Sequence, residues 1–226
     1  MKRLLVIGGA SSDVLHLNDR TVTCAGGAGM YTAMAARRCG VRVSMFGPRP
    51  EPPPDSMKPV ADYLAEWLGP FVPLKNMPHF EISYRDGQTD YLRASLDAET
   101  SLSPAMLTAD LSGYDLVHVT PVGHTSTQLA FLQACRERDA RQISAGTCLI
   151  NVENQLPAVR AVMKQSDYFF MNKVEAEAVF GSLDQARMEQ GKILFITLGE
   201  GGAYILQGEV GTRIPAVAVT EVDPTG

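Results

Sequence analysis

Met1-Lys2-Arg3-Leu4-Leu5-Val6-Ile7-Gly8-Gly9-Ala10 decides the fold class. Leu4–Ile7 is apolar at every position, and Gly8-Gly9 ends the run. A short continuous apolar run closed by glycine suits a strand buried on both faces, as in a parallel sheet. The same residues resemble the start of a signal peptide, because Lys2 and Arg3 precede an apolar run. That run is shorter than a signal h-region, and no clear small-x-small cleavage pattern follows. The reading is therefore a first buried strand. No segment approaches the ~20 apolar residues of a membrane span, so a soluble, cytoplasmic protein is expected.

Outward from this strand, helix and strand patterns alternate. His16–Cys24 has partial alternation and reads as a short exposed strand. Gly26-Gly27 open a small-residue helix, Ala28–Arg38, closed by Gly40. Arg42–Phe46 is the next strand. Prolines 48, 50, 52, 53 and 54 make a stiff connector. Asp55 or Ser56 then caps a helix expected to run through Leu68, with Met57, Val60, Ala61, Leu64, Trp67 and Leu68 on one face. Phe80–Arg85 and Tyr91–Leu96 alternate in period two around Asp86-Gly87, a β-hairpin pattern.

Strands then follow at Leu116–Thr120, Gln142–Ala145, Tyr168–Met171 and Lys192–Thr197. The helices between them are Thr125–Arg138, capped by Thr125, Leu156–Lys164, and Lys173–Phe180, ended by Gly181. Ala203–Leu206 pairs through Gly208 with a strand inside Arg213–Val219. Repeated βα units predict an α/β fold with a mostly parallel central sheet and helices on both faces. The hairpin adds a small β lid, with lid strands within about 14–24 and 80–97. Ligands in such sheets sit at the carboxyl ends of the strands.

The chain has 226 residues, a formal net charge of -5 and 20% charged residues. The negative balance gives no support to general nucleic-acid binding. Cys24, Cys39, Cys135 and Cys148 show neither CxxC nor zinc-finger spacing, and read as small core residues. His16, His79, His118 and His124 show no metal-ligand spacing. His118, inside a strand, reads as a satisfied core histidine.

Four ordered segments carry a family resemblance. They are Ile7-Gly8-Gly9-Ala10-Ser11-Ser12-Asp13; Gly26-Gly27-Ala28-Gly29-Met30-Tyr31-Thr32-Ala33, running on to Gly40; Asn172-Lys173-Val174-Glu175; and Thr197-Leu198-Gly199-Glu200-Gly201-Gly202-Ala203, followed by Asp223-Pro224-Thr225-Gly226. Each is weak alone. Their order and placement make the chain similar to the ribokinase-like (PfkB-type) carbohydrate kinases across nearly its whole length.

The resemblance implies ATP-dependent phosphorylation of a hydroxyl on a sugar, sugar-like molecule or nucleoside, with Mg²⁺ and a monovalent cation such as K⁺. It assigns Asp13, Gly26, Gly27 and Tyr31 to the acceptor. Asn172, Glu175, Thr197, Gly199, Gly202 and Thr225 fall to the nucleotide, Glu175 to Mg²⁺ through water, and Asp223 to the monovalent cation. Relatives often pair through their lids, which implies a homodimer. In the family, Asp-x-Thr-Gly continues as Ala-Gly-Asp, whose Asp is the base. The sequence ends at Gly226, the start of the anion hole. Residues 1–226 are thus expected to lack the base and the C-terminal part of the domain, and to be inactive alone.

Each segment also has a plain structural alternative: a turn for Asp13, helix-start geometry for Gly26-Gly27, an N-cap with an acidic first turn for Asn172 and Glu175, and a positive-φ turn for Gly199–Gly202. Two departures, Tyr31 where the family often carries Asn and Pro48-Arg49-Pro50 where it carries Gly-x-Asp, keep a second reading open. That reading is a non-catalytic, kinase-like sugar- or nucleotide-binding or regulatory protein. A dinucleotide-dependent oxidoreductase is disfavoured, since residues 7–12 do not give G-x-G-x-x-G.

Overall fold

The computed structural model describes residues 1–17, 20–85 and 88–219. Its strands are β1 (Arg3–Ile7), β2 (Ser11–His16), β3 (Thr21–Gly26), β4 (Arg42–Phe46), β5 (Arg49–Pro50), β6 (Glu66–Leu68), β7 (Phe71–Val72), β8 (His79–Arg85), β9 (Gln88–Ser95), β10 (Leu116–Val119), β11 (Ile143–Gly146), β12 (Tyr168–Asn172), β13 (Ile193–Thr197), β14 (Ala203–Gln207) and β15 (Val210–Ile214). Its helices are α1 (Ala28–Arg38), α2 (Lys58–Tyr63), α3 (Thr125–Glu137), α4 (Leu149–Gln165) and α5 (Lys173–Phe180).

The main sheet has the order β15-β14-β13-β12-β11-β10-β1-β4-β6. It is parallel from β13 to β6, with the antiparallel pair β14–β15 at one edge. A second sheet, β3-β2-β8-β9, stands apart as the expected small β layer. Among the described residues no helix is long and apolar enough to cross a membrane.

The alternation of β1 shows why this sheet is the core. Leu5 and Ile7 belong to one apolar cluster, with Val117, Val119, Phe131 and Phe169. Leu4 and Val6 belong to another, with Met30, Ala33, Val43 and Met45. Successive strand residues point to opposite faces, so a run apolar at every position requires cover on both sides. Helix α1 supplies that cover on one face, and α3 on the other. Farther out, the face bearing His118 also carries Phe170 and Phe195, whose rings stack at 4.7 Å. His118 Nδ1 lies 2.8 Å from Ser144 Oγ, so the expected satisfied histidine is found. Burial lowers its pKa to about 4, keeping the ring neutral near neutral pH.

The connectivity creates the site. The chain moves from β1 to β4 on one side of the sheet and later returns to β10 on the other side of β1. Such a reversal opens a crevice at the carboxyl ends of the two flanking strands.

Six local expectations are corrected. The helix expected to reach Leu68 stops at Tyr63, because Leu64 turns extended and the Ala65 N–H bonds the Val43 carbonyl at 2.8 Å. Glu66–Leu68 then pairs with β4, which replaces helical bonds by ladder bonds. Neither Asp55 nor Ser56 caps that segment through a side chain. Helix α3 is capped positionally by His124, and the Thr125 hydroxyl is buried without a partner. Helix α4 begins at Leu149, not Leu156; Pro157 reads as a helix start but lies past a kink at Gln155. The last strand lies at Val210–Ile214, upstream of most of the expected window. Finally, His16–Cys24 spans two strands, so Asp13 sits within β2 rather than on a loop.

Candidate functional site

Three residues after β1 ends, the chain enters β2, which carries Asp13 into the small sheet. Asp13 is only 7% exposed. Its Oδ2 accepts a hydrogen bond from Ser11 Oγ at 2.9 Å. Its Oδ1 accepts one from the Phe80 N–H at 3.2 Å. Desolvation raises the Asp13 pKa; the Ser11 and Phe80 bonds and nearby His79 oppose that rise. A buried acid with acceptor capacity left over is suited to binding hydroxyl donors.

Gly26 and Gly27 adjoin this acid. A Cβ on Gly26 would lie 1.9 Å from Asp13 Oδ2. Gly27 has φ 100° and precedes α1; a Cβ there would meet the Gly9 carbonyl at 2.6 Å. Both glycines are therefore required by close packing as well as by helix-start geometry. One turn on, the Tyr31 N–H bonds the Gly27 carbonyl at 3.1 Å, and the residue is 42% exposed. The four expected acceptor residues are thus gathered at one end of β1.

The second group lies farther along the same rim. Asn172 ends β12 and caps α5. Its Oδ1 accepts from the Glu175 N–H at 2.9 Å, and Glu175 Oε2 accepts from the Asn172 N–H at 2.8 Å. This reciprocal capping box is the plain structural alternative for the pair, and it is present. Burial raises the Glu175 pKa, partly offset by the Asn172 N–H. Asn172→Ala should cost about 1 kcal/mol, read as a lower chemical-denaturation midpoint at unchanged m-value.

Thr197 pairs in register with Asn172 at the end of β13. Gly199–Gly201 form a single 3₁₀ turn, and the Leu198 N–H bonds the Gly202 carbonyl at 2.8 Å. Gly202 has φ 85°, and a Cβ there would meet the Ile214 carbonyl at 2.0 Å. Its identity is set by this turn, whatever else it contacts. Because β1 and β13 are parallel and four strand spacings apart, with β12 one spacing nearer, the carboxyl ends of these strands lie along one rim, those of β1 and β13 roughly 19 Å apart.

Among the described residues, no cluster of three or more His, Cys, Asp or Glu is arranged to hold a metal ion. Glu175 offers one carboxylate, which suits a hydrated ion more than a protein cage. Asp223, Thr225 and Gly226 lie outside the described residues.

Two residues that the sequence did not assign to the site belong to this rim. Ser11 stands two positions before Asp13, and strand periodicity puts both on one face; that signal was legible. Glu99 was not. It is 8% exposed in a 3₁₀ turn; its Oε1 accepts the Gly123 N–H at 3.2 Å, and its Oε2 faces Gly9, whose N–H opposes the rise that burial gives the carboxyl pKa. Two clefts of about 460 and 420 Å³ lie elsewhere, lined by residues such as Arg141 with Gln207 and Arg160 with Phe180. Neither touches the residues above.

The pfkB family carbohydrate kinase profile matches residues 89–226, more than half of the chain. No curated protein sequence matches. Solved structures match the fold throughout. Adenosine kinase from Sinorhizobium meliloti is 16% identical, with a TM-score of 0.80 over 99% of this chain and 83% of that one. Aminoimidazole riboside kinase from Salmonella enterica, solved with aminoimidazole riboside and an ATP analogue, is 18% identical, with a TM-score of 0.78 over 100% of this chain and 80% of that one. The Burkholderia thailandensis nucleoside kinase, solved with inosine, is 19% identical, with a TM-score of 0.77 over 99% of this chain and 79% of that one. By its family match and by its fold, the chain belongs to the pfkB family of carbohydrate kinases.

Proposed function

We propose that the protein binds a sugar or nucleoside at Asp13 and ATP along the Asn172–Thr197 rim, for transfer of the γ-phosphoryl group to an acceptor hydroxyl. The observation that carries this reading is the Asp13 carboxylate. It is desolvated, fixed by Ser11 and Phe80, and sited beside the switch-point crevice. The ligands of the Salmonella and Burkholderia enzymes, a riboside with an ATP analogue and inosine, support the class of both substrates.

Asp13 would orient the acceptor by taking hydrogen bonds from its hydroxyls, with Gly26 and Gly27 letting backbone approach and Tyr31 bordering the opening. Thr197, Gly199 and Gly202 would line the phosphates. Magnesium, when bound, would neutralise phosphate charge, with Glu175 and Asn172 holding its waters. Phosphoryl transfer rests mostly on alignment and charge stabilisation, so residues that place substrates dominate its geometry. The β3-β2-β8-β9 sheet would act as a lid that excludes water.

Calorimetric titration separates this reading from a dinucleotide-binding one. ATP should bind the full-length protein, and NAD should give no heat of binding. Tight NAD binding without ATP binding would overturn the proposal.

A further inference from the structure

Glu99 occupies an unusual place for a buried acid. The chain leaves β9 at Ser95 and enters a 3₁₀ turn, Asp97–Ser101, whose third residue is Glu99. That turn is fixed from within. The Glu99 N–H bonds the Leu96 carbonyl at 2.9 Å, Thr100 Oγ1 bonds the Asp97 carbonyl at 2.7 Å, and Ser101 Oγ bonds the Ala98 carbonyl at 2.9 Å. Leu102, 3% exposed, anchors its exit in the core. The turn therefore presents the carboxylate in a set direction.

The two N–H groups its carboxylate meets come from opposite walls of the crevice: Oε1 accepts the Gly123 N–H at 3.2 Å, and Oε2 lies against Gly9. Gly9 follows β1, and Gly123 follows β10, the neighbouring strand at the topological switch point. Gly123 also leads into α3, whose cap residue, His124, makes no side-chain capping bond. A carboxylate beside that helix start satisfies a donor and complements the helix dipole.

We propose that Glu99 is a positioning residue. Its carboxylate fastens the β1–β2 turn to the β10–α3 turn, sets the width of the switch-point crevice, and pins the returning strand of the small sheet to the crevice floor. A carboxylate is the side chain for this task because it is acceptor-only and offers one oxygen to each N–H. A glutamine of the same shape offers one acceptor and turns its NH₂ toward the other donor. The burial that raises the Glu99 pKa means that the acid costs stability to keep charged, which suits a geometric role better than a stabilising one. The effect on an acceptor rests on the function proposed above; the fastening of the two walls does not.

Amide exchange by NMR on the full chain tests the fastening, with calorimetric binding of inosine and of ATP alongside. In Glu99→Ala, the Gly9 and Gly123 amides should both exchange at least about tenfold faster. In Glu99→Gln, one of the two should do so while the other keeps its protection. Inosine affinity should fall at least about fivefold in Glu99→Ala and less in Glu99→Gln, with ATP affinity within about twofold of the parent. Unchanged exchange at both amides in a folded variant would overturn the proposal, as would faster exchange with unchanged inosine affinity. If Glu99→Ala fails to fold, the one-amide signature of Glu99→Gln decides. If the parent binds neither inosine nor ATP, the function proposed above fails, and the exchange rates alone decide the role of Glu99.

Discussion

Asp13→Ala should weaken binding of a sugar or nucleoside by about 30-fold or more, while ATP affinity stays within about twofold. Hydrogen bonds from ligand hydroxyls to a charged acceptor contribute about 1.5–3 kcal/mol each, and the fixed position of this carboxylate lets them form without reorganisation. Ser11 and the Phe80 N–H hold the group from two sides. The nucleotide rim, on β12 and β13, lies three to four strand spacings from β1, beyond the reach of one side-chain truncation. Calorimetry with inosine and ATP reads both affinities, and a parallel loss of the two would refute the assignment.

The same acid should leave a mark on stability. Its folded pKa is raised above the ordinary 3.8, chiefly by desolvation. The native state therefore binds a proton more readily than the unfolded chain does. The stability this group contributes is present below the ordinary carboxylate value and is lost as pH rises through the folded value. Asn at this position carries no charge, can accept from the Phe80 N–H and can donate to Ser11 Oγ. Asp13→Asn should thus melt above the parent, with an advantage that grows as pH rises above the ordinary carboxylate value of 3.8. A protein that keeps a destabilising acid at a ligand rim trades stability for recognition. A variant that loses both stability and affinity would point to a purely structural role.

How far the sequence reveals this arrangement depends on how local each cause is. β1, β4, β12 and α5 announce themselves through largely apolar runs, glycine stops and an Asn-x-x-Glu start, all of which act within one element. The α2–β6 boundary hides because Met57, Val60, Leu64 and Trp67 keep helical spacing, while β4 offers an open edge that captures residues 66–68 as a strand. Helix α4 is misread at Pro157, since a proline marks a helix start and a kink alike. Asp13, Gly26, Gly27, Asn172 and Glu175 could be picked out by motif, but the reason for Gly26 could not. It depends on cross-strand register, which places the acid and the glycine in one small volume. Glu99 has no local signature at all, because its partners lie 90 residues upstream and 24 residues downstream.

Gly26→Ala tests that cross-strand dependence, and should be damaging through side-chain contact alone. The new Cβ would stand 1.9 Å from Asp13 Oδ2 and 2.9 Å from both Asp13 Cγ and Ser11 Oγ. Gly26 does not have the left-handed φ of its neighbour Gly27, so the alanine backbone itself is unstrained. The whole effect must come from contact. Either the carboxylate swings away, breaking the bonds to Ser11 and Phe80, or β2 and β3 part. Both routes leave buried polar groups unmade, at about 1–3 kcal/mol each, so a loss of about 2–4 kcal/mol of stability is expected, together with acceptor binding as weak as in Asp13→Ala. The double variant gives the decisive comparison. With Asp13 already reduced to alanine, only Ser11 Oγ, a hydroxyl free to rotate once its acceptor is gone, still crowds the new methyl, and Gly26→Ala should then cost less than about 1 kcal/mol. A coupling energy near 2 kcal/mol between neighbours is within the range that double-mutant cycles record. Denaturant unfolding of the four proteins measures it. Strictly additive losses would mean that the glycine serves the strand rather than the acid, and that Asp13 holds its place without it.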